Sequence, residues 1–192
     1  MISKEMHSGI VYYTKLFSDN LNIVDLIEQD ELSSTSKITK WSSWGPSDNK
    51  VIYGERKLID NSFSEFDASR LDYSITKTIT DSIIKCSEDY SKKYNLDIGK
   101  LRSLSISKYF QNQGMGQHID SYGENPKEIL SIVLYLNDNY EGGELYFPNQ
   151  NIKIKPEAGS LIAFPSIQPY SHEALPVISG TKYISPGFWA KD

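Results

Sequence analysis

From about residue 101 to the C-terminus the chain breaks into short apolar or alternating runs separated by Gly and Pro. That rhythm constrains the fold more than any other feature. Residues 101–110, 128–136, 144–147, 151–155, 160–164, 171–177 and 182–189 read as strands, and Gly142-Gly143, Pro156, Gly159, Pro165, Pro169, Pro176 and Gly180 punctuate them. Many short strands with turn signals at regular intervals close into a sandwich, barrel or jelly roll. Successive side chains of a strand alternate between its faces. In the run 128–136, Ser131, Val133 and Tyr135 therefore share one face, and Leu130, Ile132, Leu134 and Leu136 share the other. One face can line a pocket while the other packs the core.

The first half has a different period. Ser18-Asp19-Asn20 can cap a helix over about residues 19–31, with Leu21, Val24, Leu26 and Ile27 as its apolar members. A second helix is expected over 74–94, where Ile75, Ile79, Ile83 and Tyr90 recur at helical spacing. Between them, residues 41–59 carry Gly45-Pro46-Ser47-Asp48-Asn49 flanked by aromatics, the pattern of a loop or hairpin. The expectation is a single domain over residues 1–192. A helix-rich part with substrate-side loops (1–100) would buttress a mainly β jelly-roll core (101–192).

Composition excludes several classes. A chain of 192 residues, 39% hydrophobic and 23% charged, is that of a globular protein rather than a disordered one. Net charge is −5, which argues against a phosphate backbone as partner. No apolar run reaches the length of a membrane span, and residues 1–7 lack the charged-then-apolar pattern of a signal peptide. With one cysteine, Cys86, no intrachain disulfide can form. The expected location is the cytoplasm, and the oligomeric state is left open with a monomer compatible.

There are only three histidines, His7, His118 and His172, so a histidine-based metal site has almost no choice of ligands. His118-Ile119-Asp120 would put an imidazole and a carboxylate on the same side of one strand. His172 could close the site from a facing strand. Two imidazoles and one carboxylate form the facial triad of non-haem Fe(II) oxygenases, which leaves three coordination positions open. The spacing His-x-Asp alone is equally well met by two surface polar residues near a turn. Ten residues after His172 stands Lys182, a cation that a buried dicarboxylate would need.

The ordered series from Lys108 onward carries a resemblance. Tyr109 precedes His118-Ile119-Asp120. The strand Ile132-Val133-Leu134-Tyr135-Leu136-Asn137 follows, then Glu141-Gly142-Gly143-Glu144-Leu145-Tyr146-Phe147-Pro148, then Pro156-Glu157-Ala158-Gly159-Ser160-Leu161-Ile162-Ala163-Phe164. His172-Glu173-Ala174-Leu175-Pro176-Val177 and Lys182 close it. This half of the chain resembles the prolyl-4-hydroxylase-like Fe(II)/2-oxoglutarate-dependent dioxygenases. The resemblance implies a double-stranded β-helix and an enzyme using Fe(II), 2-oxoglutarate and O₂, with ascorbate as a further reductant. It implies His118, Asp120 and His172 as catalytic metal ligands, and Lys182 as the partner of the C5 carboxylate of 2-oxoglutarate. Tyr135, Tyr109 and Leu145 would lie beside that cosubstrate.

The same resemblance implies a prolyl residue in a polypeptide as substrate. Two positions depart from it. Peptide hydroxylases of this kind often carry an arginine where Glu128 stands here, and Asn112 replaces a usual glycine, though Asn tolerates positive φ. A free amino acid or other small molecule is the second reading. A non-catalytic jelly-roll binding protein is the third. Phe188 and Trp189 lie near a substrate-side aromatic of the relatives, and Trp41, Trp44, Tyr53 and Arg56 lie where relatives form lids. Each of these also suits plain packing.

Overall fold

The computed structural model describes residues 1–17, 23–29, 41–44, 53–58, 73–121 and 127–191. Fourteen described strands, β1 (Ile2–His7), β2 (Ile10–Thr14), β3 (Ser42–Trp44), β4 (Gly54–Leu58), β5 (Lys100–Tyr109), β6 (Met115–His118), β7 (Glu128–Tyr135), β8 (Glu141–Gly142), β9 (Leu145–Phe147), β10 (Ile152–Ile154), β11 (Ser160–Pro165), β12 (His172–Ala174), β13 (Val177–Ser179) and β14 (Lys182–Ala190), surround the site with helices α1 (Ile23–Gln29) and α2 (Tyr73–Tyr94). The major sheet runs β1-β2-β11-β7-β14-β5-β4-β3 and the minor sheet β10-β9-β12-β6, with β13-β8 as a separate pair. This is a double-stranded β-helix core with few helices.

The major sheet has two apolar faces, as the alternation of the run 128–136 requires. Leu130, Ile132, Leu134 and Leu136 point to the helical side and pack with Ile75, Ile79 and Ile83 of α2 and with Ile23 and Ile27 of α1. Tyr135 points the other way, into a second cluster with Tyr109, Leu145, Phe147, Phe164 and Ile184. Each such side chain taken out of water contributes roughly 1.5–3 kcal/mol before its ordering cost is subtracted. Helix α2 lays Ile75, Ile79, Ile83, Cys86 and Tyr90 on the sheet, each 2% exposed or less. It stops where Asn95 takes φ +49 and the Leu96 amide donates to the Ser91 carbonyl at 2.9 Å, a left-handed C-terminal cap.

The strand expectations after residue 100 agree with the structure, except that the run 171–177 divides into β12 and the start of β13. Helix α2 matches the expected 74–94. Helix α1 covers 23–29 of the expected 19–31, the remainder lying outside the described residues. The described part of residues 1–100 also supplies four strands of the major sheet, β1–β4, which the sequence reading did not assign as strands. Strand β2 pairs with β11, matching Leu161 with Tyr13 and Ala163 with Val11. The signal was the β-branched and aromatic run Ile10-Val11-Tyr12-Tyr13-Thr14 after the Ser8-Gly9 turn, where Gly9 sits at φ +80. Within 41–59, where a loop or hairpin was expected, the described residues form the antiparallel pair β3 and β4. Among the described residues no helix is long and apolar enough to cross a membrane.

Candidate metal centre and pocket

The minor sheet brings the two distant histidines together. Strands β6 and β12 are antiparallel neighbours, and His118 stands directly across from His172. Their ring centroids lie 4.3 Å apart. Asp120 lies two residues past the end of β6, so strand alternation does not place its carboxylate; other bonds do. Asp120 Oδ1 is 3.4 Å from His118 Nε2 and Oδ2 is 3.7 Å from His172 Nε2. The three donor atoms fall within 4.8 Å of one another, a group able to hold one metal ion.

Each imidazole is fixed from behind. His118 Nδ1 lies 2.7 Å from the Gly116 carbonyl oxygen, and His172 Nδ1 lies 3.2 Å from that of Tyr170. A carbonyl only accepts, so both Nδ1 atoms carry a proton and both Nε2 atoms turn toward Asp120, the nitrogens that a metal ion would take in place of a proton. This arrangement suits imidazole ligands, whose outer nitrogen is ordinarily held by a hydrogen bond. Gln117 Nε2 also donates to Ser171 Oγ at 3.0 Å, tying the residue before one histidine to the residue before the other.

The charges follow the geometry. Burial pushes the Asp120 carboxyl up, but the His118 hydrogen bond, the nearby His172 and the Ser131 hydroxyl outweigh it, and the carboxyl stays below its usual range. Burial lowers His118, but Asp120 and the Gly116 carbonyl win and raise it. His172 is held down to about 4, chiefly by burial. The cluster thus offers an ionised carboxylate beside a neutral His172, the forms that bind a metal.

The pocket runs inward from the triad, and its closed end is formed by Lys182. This lysine on β14 pairs with Tyr109 on β5, is 1% exposed, and donates to the Gly143 carbonyl at 2.6 Å. Its ammonium lies 5.4 Å from the Tyr135 ring centre and 5.5 Å from that of Tyr109. Burial first, then the positive Lys155, lowers Lys182 to about 7. Tyr135 is fully buried, and among the described residues its hydroxyl has no hydrogen-bond partner. Gly142 and Gly143 make the turn behind Lys182 at φ +70 and +65. A Cβ on Gly142 would meet the Pro176 carbonyl oxygen at 2.5 Å, so the turn admits only glycine there.

All seven residues singled out in the sequence line this one pocket: His118, Asp120, His172, Lys182, Tyr135, Tyr109 and Leu145. Met115, Val133, Ala174, Ile184, Pro186 and Phe188 complete an apolar wall. Trp189 packs instead with the helical cluster. Trp41 stacks edge-on against Tyr183 on that same outer side and lies under the Lys108 ammonium at 4.1 Å, which is a packing role. Asn112 takes φ +65, as its replacement of a glycine suggested. Of the segment 41–59 where relatives form lids, residues 45–52 and 59 lie outside the described residues, and Tyr53 packs against the pocket-side cluster. Sequence reasoning gave no role to Ser131 or Ser166. The alternation of β7 had placed Ser131 toward the pocket; Ser166 carried no signal.

The donor set fits Fe(II), and the buried cation with an unpartnered hydroxyl fits a dicarboxylate. Comparison with known proteins agrees. Residues 104–190 match the family model of the 2OG-Fe(II) oxygenase superfamily. A putative prolyl 4-hydroxylase of Acanthamoeba polyphaga mimivirus is 30% identical over 124 residues, 55% of this chain and 51% of that one. A PKHD-type hydroxylase of Prochlorococcus marinus is 29% identical over 173 residues, 87% of this chain and 75% of that one. The chain thus spans about half the length of the mimivirus relative. Among solved structures, a viral collagen prolyl hydroxylase from Paramecium Bursaria Chlorella virus-1, in its 2OG complex, superposes with TM-score 0.64 at 20% identity, covering 96% of this chain and 97% of that one. A Trichoplax adhaerens prolyl hydroxylase in complex with a hypoxia inducible factor peptide fragment gives TM-score 0.72 at 17% identity, covering 95% and 83%. At these identities the structural likeness establishes the fold.

Proposed function

We propose that this chain, whose residues 104–190 match the family model of the 2OG-Fe(II) oxygenase superfamily, is an Fe(II)- and 2-oxoglutarate-dependent dioxygenase that hydroxylates a prolyl residue in a polypeptide. One observation carries the reading. The His118–Asp120–His172 cluster opens into the same pocket that ends on a buried Lys182, which among the described residues forms no ion pair. When bound, Fe(II) and 2-oxoglutarate supply the oxidising chemistry, with O₂ consumed, 2-oxoglutarate decarboxylated to succinate and one oxygen atom placed on the substrate.

The chain's own residues prepare and confine that chemistry. His118 and His172 would offer Nε2 to the metal, and Asp120 would add the carboxylate on the same side. Lys182 would pair with the far carboxylate of 2-oxoglutarate, exchanging a carbonyl partner for a charged one. The Tyr135 hydroxyl would donate to the same carboxylate, gaining the partner it lacks. Tyr109 and Leu145 would flank the cosubstrate. Met115, Val133, Pro186 and Phe188 keep water from the reacting face and suit an apolar ring such as that of proline.

The prolyl substrate is supported by the relatives named prolyl 4-hydroxylases and by that apolar wall. A free amino acid or other small molecule is the second reading, and Glu128 favours it. Its carboxylate accepts from Ser121 Oγ at 3.3 Å, at the start of β7 where peptide hydroxylases of the resembling family often carry an arginine.

Two measurements test the proposal. Mn(II) and 2-oxoglutarate together should raise the melting temperature under anaerobic conditions, because ligands that bind only the folded state stabilise it. No shift with either would sink the cofactor assignment and leave the non-catalytic binding protein. Incubation of the Fe(II)-loaded enzyme with a panel of proline-containing peptides should then yield a product heavier by one oxygen. Turnover of free amino acids alone would replace the prolyl-peptide reading with the second one.

A further inference from the structure

Asp120 is held by more than its metal-site neighbours. Ser131 Oγ, on β7, donates to Asp120 Oδ2 at 2.5 Å. Ser131 Oγ also lies 2.8 Å from Ser166 Oγ. A serine hydroxyl has one proton. Since an ionised Asp120 can only accept, the proton of Ser131 is committed to the carboxylate, and Ser166 must be the donor in the second bond. The result is a directed relay, Ser166 to Ser131 to Asp120 Oδ2, through two hydroxyls that are both 1% exposed. Successive hydrogen bonds of this kind polarise and strengthen one another.

Ser166 acts on the same loop a second time. Its carbonyl oxygen accepts from the Ser121 amide at 3.0 Å, and its own amide donates to the Ile129 carbonyl at 3.1 Å. The residue that steers the Asp120 carboxylate therefore also pins the backbone next to it, and is itself pinned to β7. This matters because β6 ends at His118, so strand geometry leaves Asp120 unplaced.

We propose that Ser131 and Ser166 are positioning residues that hold Asp120 as a one-oxygen ligand: Oδ2, 3.7 Å from His172 Nε2, is taken up by the Ser131 hydroxyl, which leaves Oδ1, 3.4 Å from His118 Nε2, as the oxygen presented to the metal. The inference rests on the metal reading above. A carboxylate free to turn could bring both oxygens onto the ion and close one of the three positions that a two-point cosubstrate and O₂ require. Neither serine lines the pocket, so neither touches cosubstrate or substrate.

The test is Mn(II) affinity by electron paramagnetic resonance titration, together with the visible absorption spectrum of the Co(II)-loaded protein. The proteins are the parent, Ser131→Ala, Ser131→Thr and Ser166→Ala. Loss of outer-shell partners of metal ligands typically costs 10–100-fold in affinity. Ser131→Ala should weaken Mn(II) binding at least about tenfold and alter the Co(II) bands, which report the number and arrangement of ligands. Ser131→Thr, which keeps the hydroxyl, should restore both. Ser166→Ala, which leaves the last bond of the relay in place, should show a smaller loss in the same direction. A parent that binds no Mn(II) would overturn the metal reading and this one with it. A parent that binds, with Ser131→Ala inside twofold of it and an unchanged Co(II) spectrum, would overturn the relay alone. Should Ser131→Ala fail to fold, Ser166→Ala decides: parent-like affinity and spectrum would overturn the relay, and a loss would support it.

Discussion

The two ends of the pocket are built on opposite principles. At the metal end the polar atoms are already engaged: His118 by Gly116, His172 by Tyr170 and Asp120 by Ser131. At the closed end, among the described residues, the Lys182 ammonium donates to a carbonyl and forms no ion pair with a carboxylate, and the Tyr135 hydroxyl has no partner. The metal end is organised before anything binds. The closed end carries an unpaid electrostatic debt that a dicarboxylate would settle. An ammonium in such a place is driven toward its neutral form unless an anion arrives, so the two ends should answer differently to mutation and to pH.

The largest break in the comparison is His172→Ala. It removes a metal ligand whose lone pair is already aimed, and should abolish both Mn(II)-dependent thermal stabilisation and turnover. Full activity in that variant would end the triad assignment. Next is Lys182→Ala, which should weaken 2-oxoglutarate binding at least about tenfold, since losing one partner of a buried charge pair costs roughly 2–5 kcal/mol. Mn(II) affinity should hold, which separates the two ends in one pair of titrations.

The pH dependence sharpens the same contrast. Folded Lys182 loses its proton near 7, well below the ordinary lysine value of 10.5. Between those values the unfolded chain binds the proton and the folded one does not. The ligand-free protein therefore gains stability from this group as pH rises through that window. The dicarboxylate needs the proton, so 2-oxoglutarate affinity should move the other way, falling above pH 7 by up to about tenfold per unit. Titrations of the Mn(II)-loaded protein from pH 6 to 9 should show this slope in the parent and none in Lys182→Met. A flat parent profile would mean that the cation comes from elsewhere.

The smallest effect distinguishes debt from simple packing. Tyr135→Phe should weaken 2-oxoglutarate binding about tenfold, the low end of the roughly 1.5–3 kcal/mol that a hydrogen bond to a charged group is worth. Yet it should leave the ligand-free melting temperature equal or higher, because it deletes a buried hydroxyl with no partner. A lowered ligand-free melting temperature would show that the hydroxyl is already satisfied.

Much of this site was legible in the order of residues, and the reasons are local. Side-chain alternation in a strand has a period of two residues and needs no knowledge of neighbours. It placed Ser131, Val133 and Tyr135 on the pocket side of β7 and Leu130, Ile132 and Leu134 against the helices, as found. The glycines of the 142–143 turn and the helical spacing of α2 are local in the same sense. The hairpin Ile2–Thr14 was equally local, and was hidden only because the apolar run after Gly9 was read as part of a helix-rich half.

Pairings between distant segments are another matter. That His172 faces His118 across β12 and β6, 54 positions apart in sequence, is a long-range choice made by the packing of two whole sheets, in which loop closure and burial are balanced over the entire chain. The same holds for β2 joining β11 and for Lys182 meeting the Gly143 carbonyl. Ser166 is the clearest case. Nothing in its surroundings in the sequence distinguishes it from other serines, and it acquires a role only because the end of β11 arrives beside Ser131 and Asp120 at once. The sequence by itself settled which residues could carry the chemistry, through residue type and strand parity. Only the tertiary structure decided which of them meet, because contact between remote strands depends on the packing of everything between them.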